Sequence, residues 1–336
     1  MMNAIPVLSV VIPFYDEEEG LDILFERVES VLEKITKDYE IICVDDGSKD
    51  GTLAGLTRHR MRNPKIKVMS LSRNFGKDIA LSAGLDYANG QAVVPLDADL
   101  QDPPEVISKL FAKWQEGKYD VVYGKRSSRQ SDSFFKRLSA KLFYRVHNMV
   151  ADVNIPEDTG DFRLMDRRVV EALRGMPEQN RFMKGLFSWV GFRQVGVEYG
   201  REERAAGQTK WKYWKLWNFA LDGITSSSTM PLRIWTYFGV VISLGAFSYA
   251  SFLVVRTMVM GIDLPGYASM MVAVLFLGGI NIFATGILGE YMGRIFTEVR
   301  QRPLYLIREH QGLQTPQDAP QASNSNTAHE QIAKVT

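Results

Sequence analysis

Two long apolar runs constrain this chain more than any other feature. From Ile234 to Val255 there are 22 residues without Asp, Glu, Lys or Arg, and from Leu264 to Gly289 there are 26. At about 1.5 Å rise per residue the shorter run makes a helix of about 33 Å, enough for a hydrocarbon core of roughly 30 Å. Buried core helices seldom keep such purity beyond about 15 residues, so the pattern predicts two membrane spans, over about 234–256 and 264–290. A mean hydropathy of −0.12 conceals this segregation. Basic residues flank the pair: Arg201, Arg204, Lys210, Lys212, Lys215 and Arg233 before, and Arg294, Arg300, Arg302 and Arg308 after. The loop between carries only Arg256 and Asp263. The positive-inside rule then puts both termini in the cytoplasm and the hairpin loop outside. The early apolar run Val7–Ile12 ends in Asp16-Glu17-Glu18-Glu19, not in a cleavage site, so no signal peptide is expected.

Three regions follow: 1–230, a cytoplasmic domain; 231–295, the hairpin; and 296–336, a juxtamembrane segment and a tail. Beyond about Gly312 the tail is Gln, Ser, Asn, Pro and Ala without an aromatic residue, which reads as disordered. Forty basic against 39 acidic residues exclude a strongly basic nucleic-acid binder as the default. The single Cys43 excludes an intrachain disulfide and a multi-cysteine metal site, and its place in an apolar strand makes it a small core residue.

Up to about Tyr123 short β-branched runs alternate with helical patterns. Strands are expected at Leu8–Ile12, Glu40–Val44, Lys67–Ser70, Ala92–Leu96 and Val121–Tyr123, with helices near Glu19–Ile35, Thr52–Met61, Lys77–Ala88 and Pro103–Trp114. Such alternation implies an α/β domain with a mostly parallel sheet and right-handed crossovers. Polar motifs follow each of the first four strands: Pro13-Phe14-Tyr15-Asp16-Glu17, Asp45-Asp46-Gly47-Ser48, Ser72 to Lys77, and Asp97-Ala98-Asp99-Leu100-Gln101. In an open parallel sheet ligands bind at the carboxyl ends of the strands, so the four converge on one edge. Singly each has a bland alternative: Asp50-Gly51-Thr52 can simply turn the chain and start a helix, and Asn74-Phe75-Gly76 can be a plain loop. No GxGxxG opens the first helix and no GxxxxGK[ST] occurs, so the dinucleotide and P-loop readings lack their glycines. Extended alternation would place Asp97, Asp99 and Gln101 on one side. Their oxygens suit Mg²⁺ or Mn²⁺ sharing its shell with phosphates, a nucleotide-diphosphate site.

PFYDEE, VDDGSKDGT, RNFGK and DADLQDPPE, with Asp158-Thr159-Gly160-Asp161-Phe162-Arg163-Leu164 and Arg204-x-x-Gly207-x-Thr209-Lys210-Trp211, together resemble glycosyltransferase family 2. The likeness runs to roughly Leu306 and is closest to the polyprenyl-phosphate glycosyltransferases, dolichol-phosphate-mannose-synthase-like proteins, in their bactoprenol glucosyltransferase branch. The resemblance implies a GT-A (Rossmann-like) fold and an inverting transfer from a nucleotide sugar, UDP-glucose ahead of mannose or aminopentose donors, to polyprenyl (undecaprenyl) phosphate. It implies a bacterial inner-membrane enzyme, homo-oligomeric and tetrameric by likeness, with no nucleic-acid partner. Carried over by position, Pro13, Tyr15 and Glu17 line the nucleobase pocket, Asp46 meets the uracil or ribose, and Lys77 and Asp97 face the nucleotide sugar. Asp99 and Gln101 hold the metal, while Arg126, Arg204 and Lys210 meet the acceptor phosphate. Asp161, or its neighbour Asp158, stands at the reaction centre, for orientation or mild base catalysis. The alternative for Asp161 is a helix cap before Phe162–Leu173. Asp16 stands where the family commonly has Asn.

Two stretches ahead of the first run are amphipathic and basic. In Phe134–Val150, Phe135, Leu138, Leu142, Val146 and Met149 recur at helical spacing beside Arg137, Lys141 and Arg145. Thr209–Leu221 sets Trp211, Tyr213, Trp214 and Trp217 among Lys210, Lys212 and Lys215. Both suit the headgroup level of a membrane and would hold the cleft against the lipid acceptor. Two other readings compete. A processive polysaccharide synthase would need a Gln-x-x-Arg-Trp motif, which Gln179-Asn180-Arg181-Phe182 does not supply, and an inactive membrane scaffold would not need intact Asp97, Asp99, Gln101 and Arg204.

Overall fold

Strands buried on both faces read as continuous apolar runs, and this chain has several. In a computed structural model, Leu8–Phe14 (β1), Tyr39–Asp45 (β2) and Ile66–Leu71 (β3) are almost wholly buried and pair in parallel, with Ala92–Pro95 (β4) parallel on the other side of β1. The structure describes residues 5–126, 159–179, 181–200, 230–260 and 266–313. Each expected strand and helix of the first 123 residues is present. The expected stretches 134–150 and 209–221 lie outside the described residues.

Between the strands run Leu21–Ile35 (α1), Thr52–Arg62 (α2), Lys77–Tyr87 (α3) and Val106–Gln115 (α4). In α1, Leu21, Leu24, Phe25, Val28, Val31 and Leu32 are buried at a spacing that puts them on one face of a 3.6-residue helix. Alternate strand residues feed two cores. Val10, Ile12, Ile41 and Cys43 pack with α1 and α4 on one face, and Val11, Ile42 and Val44 pack with α3 on the other. Cys43 is fully buried, as a core residue should be.

Past β4 a single strand reverses direction. Thr159–Asp166 (β6) lies antiparallel between β4 and Val121–Arg126 (β5), and Gln194–Tyr199 (β7) is parallel to β5 at the edge. Arg167–Arg174 (α5) and Met183–Trp189 (α6) cover the α3 face. Asp161 therefore sits inside a strand. The helix begins at Arg167, and its cap is Asp166, whose side chain accepts the Arg168 N–H, so the helix-cap alternative for Asp161 fails.

Met230–Met260 (α7, 31 residues) and Tyr267–Val299 (α8, 33 residues) follow. Large apolar side chains on both stay exposed in the chain, among them Phe247 at 74% and Ile282 at 76%. Counting only the described residues, no helix is long and apolar enough to cross a membrane; the uninterrupted apolar runs are a property of the full sequence. After α8 the chain returns to the sheet as Ile307–Gln311 (β8), antiparallel to β3, giving the order β7-β5-β6-β4-β1-β2-β3-β8. The sequence reading placed only a juxtamembrane segment there.

Candidate active site at the strand ends

The chain leaves β1 for β2 and β3 on one side and adds β4 on the other, so a crevice opens beyond the carboxyl ends of β1 and β4. β4 pairs with β1 only as far as Val11, leaving Pro13 beyond the ladder on that side, where a residue without an N–H costs no strand bond. Tyr15, Asp16 and Glu17 follow, all partly buried. Asp16 has φ 52°, in the left-handed region that Asn and Asp tolerate best. That backbone requirement accounts for an Asp or Asn here. Its Oδ1 accepts the Lys49 N–H at 2.8 Å, and its own N–H donates to Ser48 Oγ at 3.0 Å. The Glu17 N–H donates to Thr52 Oγ1 at 2.9 Å.

Asp46, 3% exposed, accepts the Phe75 and Gly76 N–H groups on its two oxygens, at 2.7 and 2.9 Å. Burial pushes its carboxyl up, with the two amides opposing. Asp46 thus ties the 72–76 loop to the end of β2, a role absent from the sequence reading. Gly47 makes the tie possible. At φ 69° a Cβ on it would lie 2.6 Å from the Arg73 carbonyl carbon. Asp50 accepts the Thr52 N–H at 3.0 Å and starts α2, the bland alternative for that motif.

Beyond β4 the geometry differs from the expected extended segment. The strand ends at Pro95, residues 98–99 form a turn, and Leu100 adopts φ 56° with its side chain 1% exposed. Asp97, Asp99 and Gln101 are gathered by this turn and not by strand alternation, and the Gln101 N–H donates to Asp99 Oδ1 at 3.1 Å. All three are partly buried. Among the described residues, no group of three or more His, Cys, Asp or Glu could hold a metal ion. Asp99 and Gln101 are hard oxygen donors, and two protein ligands fit an ion whose shell is completed by phosphates.

Lys77, the first residue of α3, brings the crevice together. Its Nζ lies 2.7 Å from Asp97 Oδ1, 2.8 Å from Asp97 Oδ2 and 2.9 Å from Asp161 Oδ2. The side chains are 43%, 33% and 14% exposed respectively, so solvent reaches the bridge. Burial pushes the Asp161 carboxyl up, but the Lys77 and Lys184 charges outweigh it and hold the group well below the usual carboxylate range. Asp97 is shifted upward, by burial first and the Asp161 charge next among raising causes, with Lys77 opposing. The other Asp161 oxygen, Oδ1, is buried with no hydrogen-bond partner among the described residues.

The sequence reading missed three neighbours. Asp78 is pushed up to about 7 by burial and by Asp161. Lys184, on the first turn of α6, adds positive charge towards Asp161 and Asp78. Arg163, 4% exposed, donates to the Gly160 carbonyl at 2.8 Å and lies 4.0 Å over the Phe187 ring; burial lowers it to about 10. The sequence offers Gln179-Asn180-Arg181-Phe182, just ahead of Lys184, only as a poor match to a synthase motif. Of the expected acceptor residues, Arg126 closes β5, while Arg204 and Lys210 lie outside the described residues.

Residues 9–174 match the family model described as Glycosyl transferase family 2, and residues 230–295 match the GtrB C-terminal hairpin. The chain is 57% identical to an uncharacterized glycosyltransferase, sll0501, of Synechocystis over 91% of this chain and 96% of that one. It is 48% identical to a prophage bactoprenol glucosyl transferase homolog of Escherichia coli K12, over 90% and 98%. It is 47% identical to the bactoprenol glucosyl transferase of Shigella phage SfII, over 91% and 99%.

Proposed function

The chain belongs to glycosyl transferase family 2 and is a glycosyltransferase, and on that premise we propose that it moves glucose from UDP-glucose to undecaprenyl phosphate, inverting the sugar to a β-linked lipid phosphate. The observation that carries the reading is the Lys77 bridge between Asp97 and Asp161 at the crevice, with an Asp161 oxygen that has no partner among the described residues. The names of the relatives in Escherichia coli and Shigella phage SfII support glucose and bactoprenol as the pair.

A phosphate monoester has a second pKa of about 6 and is largely dianionic at pH 7. Such an acceptor needs little help from a base. An Asp161 held ionised by Lys77 is in any case a weak base, so its work is to orient the reacting groups and to balance charge at the anomeric centre. Asp99 and Gln101 would hold Mg²⁺ or Mn²⁺, which takes up charge on the departing diphosphate. Pro13, Tyr15, Glu17 and Asp46 enclose the nucleotide, with Lys77 and Asp97 towards its sugar. Arg126, Arg204 and Lys210 grip the acceptor phosphate.

The two apolar runs of the full sequence, about 234–256 and 264–290, form a hairpin across the bacterial cytoplasmic membrane, with both termini and the sheet domain in the cytoplasm. The charge-free runs and exposed apolar side chains support this. The basic, amphipathic sequence of the stretches 134–150 and 209–221 suits the inner leaflet, and the chains associate as tetramers. The test incubates the purified full chain with undecaprenyl phosphate, Mg²⁺ or Mn²⁺ and a panel of radiolabelled nucleotide sugars. Label passing into the organic phase from UDP-glucose above all others is the expected result. Transfer only from a mannose or aminopentose donor would replace the sugar, and transfer from none would sink the lipid acceptor.

A further inference from the structure

The chain after α8 is fastened to the catalytic sheet at several points. The Ser72 N–H donates to the Leu306 carbonyl at 2.8 Å, Tyr305 OH donates to Asp86 at 2.9 Å, and β8 completes the sheet edge against β3. One contact reaches further. Arg308 Nη2 donates to Ser70 Oγ at 2.8 Å, and Ser70 Oγ donates to Asp45 Oδ2 at 2.8 Å. Asp45 Oδ1 accepts the Ser48 N–H at 3.1 Å, and Ser48 Oγ accepts the Asp16 N–H at 3.0 Å. Ser70 and Asp45 are both fully buried.

The direction of this chain is fixed by chemistry. Arginine only donates, so Ser70 must accept there, and its one proton goes to the carboxylate. No lysine or arginine of the described residues pairs directly with Asp45, so Arg308 reaches that fully buried carboxylate through one hydroxyl. A buried carboxylate without such support is costly, and bonds in a polarised chain strengthen one another. The far end of the chain is the 45–49 loop and Asp16, the wall of the crevice beside Tyr15 and Glu17.

We propose that Arg308 is a positioning residue for the nucleotide pocket. Acting through Ser70 and Asp45, it holds the 45–49 loop against Asp16, so that donor affinity depends on a residue supplied by the segment beyond the hairpin. The proposal rests on the nucleotide-sugar reading of the crevice. It is tested on the full chain in detergent by amide hydrogen exchange without ligand, together with UDP titration in Mn²⁺ and steady-state kinetics. Arg308→Gln should speed exchange of the 45–49 and 16–17 amides about tenfold, the scale of one lost charge-assisted bond. It should weaken UDP binding and raise the donor Michaelis constant about three- to tenfold, with turnover at saturating donor within twofold. Arg308→Lys, which can still donate to Ser70, should recover most of both.

Tyr305→Phe loosens the same segment without touching the chain of bonds, and it should leave the 45–49 loop protected. Unchanged loop exchange in Arg308→Gln would overturn the proposal. So would equal loosening of the loop by Tyr305→Phe, or of β8 itself in Arg308→Gln, because the effect would then be loss of the strand. If the wild type binds no UDP, the nucleotide reading fails, and the donor-positioning role falls with it even where the loop responds.

Discussion

Lys77→Met removes one charge while keeping an unbranched chain of similar length, and its consequences can be worked from the geometry. Lys77 makes two contacts to Asp97 and one to Asp161, all within 2.9 Å. The Asp97 pair is partly solvent-exposed, and such pairs contribute about 0–1 kcal/mol. The Asp161 contact is better shielded, where a charged hydrogen bond contributes about 1.5–3 kcal/mol before discounting. With Lys77 itself 43% exposed, a net loss of about 2 kcal/mol at pH 7 is reasonable. For a sheet domain of this size that is a Tm lowered by roughly 4–8 °C.

The pH dependence fixes the sign. Lys77 holds the Asp161 carboxyl well below its ordinary value. The stabilisation is present above an unfolded pKa of about 3.9 and is lost as pH falls below it. In Lys77→Met burial is opposed only by the Lys184 and Arg163 charges and the Asp161 pKa rises, so acid relieves part of the cost. The Tm gap between wild type and variant should therefore be widest near pH 8 and narrower at pH 5. Thermal unfolding of the detergent-solubilised protein across that range measures it. Turnover should fall by about two orders of magnitude, the scale for losing one preorganised electrostatic group, and Lys77→Arg should retain more. A Tm gap that is absent, or that widens towards acid, would refute the assignment of Lys77 as the counter-charge.

Four further outcomes follow from the site and the sequence. Asp99→Asn should lower turnover by at least about two orders of magnitude, and wild-type activity that persists in chelator would sink the metal role. Asp78, pushed up to about 7, binds its proton more tightly folded than unfolded, so stability falls as pH rises from about 4 through 7; Asp78→Asn should raise Tm more at pH 8 than at pH 5. Arg204→Ala should raise the apparent Michaelis constant for polyprenyl phosphate or cut turnover by one to two decades, with UDP affinity unchanged within about threefold; the opposite split would move Arg204 to the donor side. A cysteine at Ala268 should react with an impermeant thiol reagent outside whole cells and one at Ser323 should not, and the reverse pattern would invert the topology.

The first five strands and their helices were legible because each obeys a local rule: apolar runs for strands buried on two faces, and a 3.6-residue apolar stripe for helices. Sequence Phe162–Leu173 obeys two rules in turn. Phe162, Leu164, Met165, Val169, Val170 and Leu173 pass for a helical face, whereas β6 ends at Asp166 and α5 starts at Arg167. Only the Asp166 cap separates them. β8 was illegible for another reason. Ile-Arg-Glu-His-Gln has neither apolar alternation nor length, and it forms a strand because β3 offers an open edge. The Lys77 bridge joins residues 20 and 84 positions apart, so no spacing along the chain could announce it.

The departures from local rule are themselves informative. Among the described residues, three non-glycines have positive φ: Asp16, Leu100 and Gln301. Asp16 and Leu100 stand at the two lips of the crevice, after β1 and β4, and Gln301 stands where α8 hands the chain to β8. Asp tolerates this backbone; a leucine does so at a cost of about 1–3 kcal/mol. The Leu100 side chain is fully enclosed in the core with Val106 and Ile107, and burying such a side chain contributes about 1.5–3 kcal/mol, enough to offset the strain. Core packing thereby holds a turn that the backbone alone would relax, and the turn sets where Asp99 and Gln101 stand relative to Asp97. The same logic applies across the crevice, where Asp46, Gly47 and the Asp45–Ser48 bond hold the opposite lip. Both walls of the site are thus fastened from inside the sheet. The precision that transfer chemistry requires is supported by buried groups, Leu100 on one side and Asp45 on the other, that are packed away from the crevice.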